Sequence, residues 1–227
     1  MKFQSAKRYD EFAYAQKIVA DELLKMVVKS RSEFAQIYEI GAGSGVLTRR
    51  VISSLKYDEL VLNDIYKSDF MASFQTQIGD ILTLNLPQKL DLIISSSVFQ
   101  WIENLDKLRD KLYLSLNNDG ILAFSMFCDG TLQELSSFTK QSLKYKNNSE
   151  IKEKFAVKFE ILGVKNEEII AKFSSLKELL NHLKQTGVNN LNGNFKLTKE
   201  NFKLLEAHFD GNFALTYKYI NLICKKR

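Results

Sequence analysis

Cysteine, histidine, proline and tryptophan are all scarce in this chain, at two, two, one and one among 227 residues. Cys128 and Cys224 sit in no ligand or redox spacing, and two histidines do not build a metal site by themselves, so disulfide scaffolds and zinc modules are excluded. The expectation is a reduced, metal-free, cytoplasmic protein. Long apolar runs are missing too, all of them far short of the ~20 residues that a membrane-spanning helix needs. The opening Met1-Lys2-Phe3-Gln4 does not begin a signal peptide, so no membrane is expected as a partner. Nor is there a block of one charge. The net charge of +5 comes from scattered lysines, which suits an acidic partner or substrate. No basic run is interleaved with aromatics of the kind that stacks bases, so nucleic acid is not expected either.

What is present fits one α/β domain spanning 1–227. Residues 5–29 place Phe12, Ala15, Val19, Leu23 and Met26 at steps of three and four, the period of an amphipathic helix. Apolar runs then alternate with helical stretches. Strands are expected at 37–40, 60–64, 74–79, 90–94 and 121–127, with a helix through Leu105, Leu108, Leu112 and Leu116 before the last of these. Strand and helix alternating at this pace imply a doubly wound, mostly parallel sheet. After Cys128 the pace changes. Residues 128–166 read as an inserted cap with two helical segments, and a sixth strand is expected at 167–173. Ser175-Leu176-Lys177-Glu178 then reads as a capping box opening a helix that Gly187 stops. A helix at 198–209 and a strand at 214–224 complete seven strands.

The first strand runs into Gly41-Ala42-Gly43-Ser44-Gly45, and the second ends at Asp64, 19 residues beyond Gly45. Glycines allow a tight turn and bring backbone N–H groups close to a ligand. An acid at the tip of the next strand is placed to accept hydrogen bonds from ribose hydroxyls. A nucleoside-containing cofactor follows. It is not a dinucleotide, because the third glycine falls one residue early and Val46 takes the dinucleotide position. It is not a nucleoside triphosphate, because the G-x-x-x-x-G-K-S/T loop is lacking. Glu39, just before the glycines, would repel a pyrophosphate and tolerate an ammonium or sulfonium. Asp80-Ile81, 16 residues beyond Asp64, suits an adenine: an acid for the exocyclic amine and an apolar side chain for the ring. An aspartate after a glycine is also a common turn residue.

Acid-x-Gly-x-Gly-x-Gly resembles the first motif of the class I S-adenosylmethionine-dependent methyltransferases. Three further stretches are more specific: Ser95-Ser96-Ser97-Val98-Phe99-Gln100-Trp101, Gly130-Thr131-Leu132-Gln133-Glu134-Leu135, and Leu183 to Leu191 with Leu215-Thr216-Tyr217 later. With Phe3, Ala6, Tyr9-Asp10, Ala13 and Gln16 they resemble the malonyl-acyl-carrier-protein O-methyltransferases of biotin synthesis along nearly the whole chain. The resemblance implies a Rossmann-like fold with residues 1–30 as an N-terminal lid helix and S-adenosylmethionine as cofactor. Carried over by position, cofactor contacts fall on Tyr9, Gln16, Glu39, Gly41, Ala42, Gly43, Gly45, Asp64, Ile65, Asp80, Ile81, Ser95 and Ser96. Gln100 and Trp101 would shape the substrate cleft, although Trp101 fits a core position equally well.

The implied reaction is methyl transfer to the free carboxylate of a malonyl thioester on acyl carrier protein, or on coenzyme A, by a monomer. A carboxyl with a pKa near ~4 is ionised at neutral pH, so no general base is required. The site region also lacks histidine, since His182 and His208 both fall in the C-terminal third. The family implies a cation for the carboxylate, and Arg109, Lys140, Lys144 and Lys146 are all candidates. The competing readings are a methyltransferase for another small acid or ring, and a non-catalytic, cofactor-binding partner protein.

Overall fold

The computed structural model describes residues 9–187 and 197–227. Expectations that fall on 1–8 and 188–196, among them Phe3, Ala6 and the end of the Leu183–Leu191 stretch, lie outside the described residues. Seven strands form one sheet: β1 Glu33–Ile40, β2 Lys56–Asp64, β3 Gln75–Ile78, β4 Leu90–Ser96, β5 Leu116–Phe127, β6 Phe159–Lys172 and β7 Ala214–Lys226. Their order is β3-β2-β1-β4-β5-β7-β6. The pairs β1–β2, β1–β4, β2–β3 and β4–β5 are parallel, and β7 runs antiparallel between β5 and β6. The expected doubly wound, mostly parallel architecture is the one observed.

The helices are α1 Tyr9–Phe12, α2 Tyr14–Ser30, α3 Val46–Ser54, α4 Leu105–Ser115, α5 Gln133–Thr139, α6 Asn148–Ala156, α7 Leu176–Gln185 and α8 Lys199–Phe209. Central strands are apolar on both faces, which is what a sheet covered on both sides requires. On one face Leu23, Val27, Leu47 and Val51 of α2 and α3 pack with Ile37, Leu62, Leu92 and Ile94. On the other, Leu108, Leu112, Ile151 and Phe155 of α4 and α6 pack with Tyr38, Ile93, Phe124 and Leu222. A third cluster joins Leu135, Leu179, Leu183 and Leu205 to Phe127, Leu215 and Tyr217. It lies beyond the carboxyl end of β5, where the paired residues are Phe127 and Tyr219. Among the described residues no helix is long and apolar enough to cross a membrane.

Strands β1 and β2 each start four residues before the expected 37 and 60, and three further boundaries differ from the sequence reading. The N-terminal helix is broken at Ala13, whose ψ of 43° is not helical, so a one-turn α1 precedes α2. Strand β5 starts at Leu116, because the Asn117–Gly120 turn is absorbed as an irregularity in the pairing of β4 with β5 between Leu90 and Leu92. Strand β6 starts at Phe159, eight residues before the expected 167. Its Lys165-Asn166-Glu167 stretch hides the apolar alternation, and antiparallel pairing with β7 supplies the register instead. The expected cap at 128–166 therefore divides. Helix α6 buries Ile151 and Phe155 under the sheet, with Phe155 4.5 Å from Phe124 between ring centroids. It is a crossover helix of the sheet, and only the part before it lies at the rim.

Candidate active site

Strand β1 delivers a buried Ile40 to the glycine turn, and the turn is fixed from below by the neighbouring strand. The N–H groups of Gly41 and Ala42 both donate to the Asn63 carbonyl, at 2.8 and 2.9 Å, while the Asn63 amide donates to the carbonyls of Gln77 and Gly79. Gly41 has a φ of +75°, and a Cβ there would lie 2.2 Å from Cγ2 of Val98. Both facts demand glycine. Asp64, at the tip of β2, accepts from the Gly43 N–H at 2.9 Å through Oδ2 and from the Tyr66 N–H at 3.1 Å through Oδ1. The acid predicted to meet a ribose thus also shapes the loop beside it.

Above these strand ends lies a cavity of about 1070 Å³, large enough for a nucleoside and an acceptor together. Of the residues expected at the cofactor, Tyr9, Gln16, Gly41, Ala42, Gly43, Asp64, Ile65, Asp80, Ile81 and Ser96 line it. Gln100 and Trp101, the expected cleft residues, line it as well. One Asp80 oxygen accepts from the Leu82 N–H, so the turn role and a cavity role coexist in one side chain.

Glu39, Gly45 and Ser95 are not at the cavity wall. The Glu39 side chain is fully buried beneath the turn and accepts from the Thr48 hydroxyl at 3.0 Å. Burial pushes its carboxyl up to about 8, against the opposing Thr48 hydrogen bond and with Asp64 adding to the rise. Gly45, at a φ of +86°, leaves room for the Phe70 ring, which a Cβ would meet at 2.2 Å. The Ser95 hydroxyl donates to the Ile40 carbonyl at 2.9 Å. All three support the turn from behind the cavity wall.

The first helical turn is tied to this loop: Asp10 accepts from the Ser44 hydroxyl and, at 3.4 Å, from Arg49. That contact holds Tyr9 and Gln16 over the cavity. After β4, Ser97 sits at a φ of +59°, and Gln100 donates to the Ser97 carbonyl at 2.7 Å. Gln16 Oε1, Ser97 Oγ and Gln100 Oε1 are buried with no hydrogen-bond partner among the described residues. Three polar atoms without partners, on residues that line one cavity, leave hydrogen-bonding capacity unused beside it. Asp64, Asp69, Asp80 and Glu103 line the cavity against a single described cation, Lys67, which favours a positively charged guest.

Comparison with known proteins decides the family. A malonyl-acyl-carrier-protein O-methyltransferase of Calditerrivibrio nitroreducens is 31% identical over 229 residues, spanning 96% of this chain and 91% of its own. A protein of the same name from Acinetobacter baylyi is 32% identical over 244 residues, spanning 99% and 94%. The chain belongs to the malonyl-acyl-carrier-protein O-methyltransferase family. No family model matches it. Among solved structures, the YcgJ protein of Bacillus subtilis matches with a TM-score of 0.64 at 14% identity, over 91% of this chain and 99% of that one. At that identity the likeness is one of fold.

Within this O-methyltransferase the sequence reading missed the far wall of the cavity, built by Phe127, Thr131, Leu132, Tyr145, Thr186 and Tyr217. Tyr217 was visible only inside a family-like stretch, and Tyr145 lay in a lysine-rich segment without a period. No histidine is among the described lining residues, but one stands directly behind the wall. His182 does not itself line the cavity, but its Nε2 lies 2.8 Å from the Tyr217 hydroxyl, which does. None of the candidate cations reaches the wall. Arg109 is buried between Asp106 and Asp110 and donates to the Lys154 carbonyl, which pins α4 to α6. Lys146 pairs with Glu150 at 2.8 Å, and Lys140 and Lys144 are exposed.

Proposed function

We propose that this protein transfers the methyl group of S-adenosylmethionine to the free carboxylate of a malonyl group carried as a thioester on acyl carrier protein, an early step of biotin synthesis. The observation that carries the reading is the division of one cavity: the glycine turn, Asp64 and Asp80 at the β1–β3 ends, and a hydroxyl-rich wall at the β5–β7 ends. Family membership supplies the acceptor class.

When bound, S-adenosylmethionine supplies an electrophilic methyl group on a cationic sulfur. Asp64 would take the ribose hydroxyls and Asp80 the adenine amine. The orphaned oxygens of Gln16, Ser97 and Gln100 would accept from the remaining donors. The malonyl carboxylate arrives ionised at neutral pH, so the chain need not remove a proton. Its task is to bring one carboxylate oxygen in line at about 3 Å and to keep water out. Tyr9 and Gln16 serve the second purpose, held over the cavity by the Asp10 contacts.

The test is direct. The protein is incubated with S-adenosylmethionine and malonyl or acetyl carrier protein, and the carrier's mass is measured. One methyl increment on the malonyl form alone is expected. Donor binding without transfer to any malonyl thioester would overturn the reading, and transfer to malonyl-coenzyme A in preference would move the acceptor from protein to free thioester.

A further inference from the structure

We infer that the acceptor's carboxylate is held by two neutral phenols, Tyr145 and Tyr217, and that His182 acts behind Tyr217 as a positioning residue directing its proton into the cavity. The inference rests on the malonyl reading above and deepens it.

Place comes first. In the sheet order, β7 stands four positions from β2, so Tyr217 and Asp64 rise from opposite halves of the same cavity. The carboxylates that line the cavity follow β2, β3 and β4. The lining residues contributed by β5, β7, the C-terminal cap of α7 and the segment between β5 and α6 carry no charge among those described. Lys67 follows β2 and belongs to the acidic half. An anionic acceptor in the neutral half therefore finds no described cation and must be held by hydrogen-bond donors.

Counting protons leaves few donors. The Thr131 hydroxyl donates to the Lys218 carbonyl at 2.9 Å, and the Thr186 hydroxyl donates to the His182 carbonyl at 2.9 Å. Both threonines have spent their one proton on backbone. The Tyr145 hydroxyl makes no described hydrogen bond, and the Tyr217 hydroxyl shares one with His182 Nε2 in which the tautomer decides the donor. Burial raises the Tyr217 hydroxyl far above its usual range, with Tyr145, Tyr9 and Glu134 adding to the rise. Burial likewise raises Tyr145. Two phenols close enough to feel each other resist ionisation, yet both can donate to one guest anion, and hydrogen bonds to an ionised acceptor are about twice as strong as neutral ones.

His182 decides which way the Tyr217 proton points. The imidazole is only 4% exposed, with the rings of Phe173 and Phe12 at 5.0 and 6.4 Å. Burial pushes its pKa down to about 4, so it is neutral at neutral pH, where a malonyl carboxylate is ionised. In the tautomer assigned here, Nε2–H donates to the Tyr217 oxygen, and the phenol's own proton is left for the acceptor.

The experiment uses the full chain, steady-state kinetics with malonyl carrier protein, and calorimetric titration of S-adenosylmethionine. Y145F and Y217F should each raise KM for the carrier substrate about tenfold, the size of a lost charge-assisted hydrogen bond. Donor affinity and kcat should stay within about twofold, which also shows that the variants fold. H182L should behave like Y217F, while H182Q, which keeps an N–H at that place, should recover most of the loss. A wild-type protein that methylates malonyl carrier protein while both phenylalanine variants keep its KM overturns this inference alone. A larger KM increase from a lysine-to-methionine change at Lys67, Lys144 or Lys146 overturns it in favour of a cation. A wild-type protein that transfers nothing to malonyl thioesters overturns the proposed function instead.

Discussion

Thr48 gives Glu39 its one hydrogen bond in a place with no solvent: the hydroxyl donates to Oε1 at 3.0 Å, and Oε2 has no partner among the described residues. A charged carboxylate buried with a single donor is costly. The structure answers by keeping the group protonated, with its pKa raised to about 8.

A pH dependence of stability follows. The folded state holds a proton on Glu39 that the unfolded state releases, so this group's contribution is full below about 4.5 and is lost as pH rises toward 8. E39Q removes the titration. In the donor-free protein the variant should gain stability relative to wild type between pH 5 and 8, by on the order of a few kcal/mol. Thermal melts at three pH values measure the gap, and parallel curves would show that Glu39 is ionised in the fold.

Asp64 joins two roles, taking the Gly43 N–H through one oxygen while facing the cavity. D64A should weaken binding of S-adenosylmethionine roughly tenfold or more, since a charged hydrogen bond is worth ~1.5–3 kcal/mol. Calorimetry decides; unchanged affinity would mean that the ribose is elsewhere.

The glycine turn predicts a paired experiment. G41A places a Cβ 2.2 Å from the Val98 Cγ2 at a φ of +75°. Stability should drop by about 2–4 kcal/mol from strain and clash together, with donor affinity falling too. Adding V98A should return the steric share and leave the backbone share. Denaturant titration of the single and double variants separates the two; an additive pair would sink the geometry.

Arg109 supplies the contrast to the phenols. Its guanidinium is buried between α4 and α6 and does not line the cavity. R109M should cost stability by about 1–2 kcal/mol, while KM for malonyl carrier protein stays within about twofold. A KM rise without a stability loss would make it the acceptor's cation after all.

How much of this was legible in the sequence depended on distance along the chain. Gly41, Gly43 and Asp64 could be placed because turn chemistry is local and the strand-helix period carries the acid to the loop. Glu39 was legible as an acid before the glycines but not as a buried one, because the helix that seals it starts only at Val46. The His182–Tyr217 bond spans 35 residues, and no pattern announces such a meeting. The β6 boundary failed for a different reason: an edge strand is stabilised by its partner, so polar Lys165-Asn166-Glu167 sits comfortably in it.

The segregation of charge across the sheet has a consequence for turnover. A sulfonium drawn to the acidic half and a carboxylate gripped by phenols in the neutral half enter with opposite signs, and the transfer cancels both. The spent thioether keeps the ribose and adenine donors that Asp64 and Asp80 take but has lost the sulfonium's charge, and the ester answers the phenols only as a neutral acceptor. The one bond made and the one bond broken thus remove the long-range attraction on each side of the chamber and leave only the short-range contacts to hold the products.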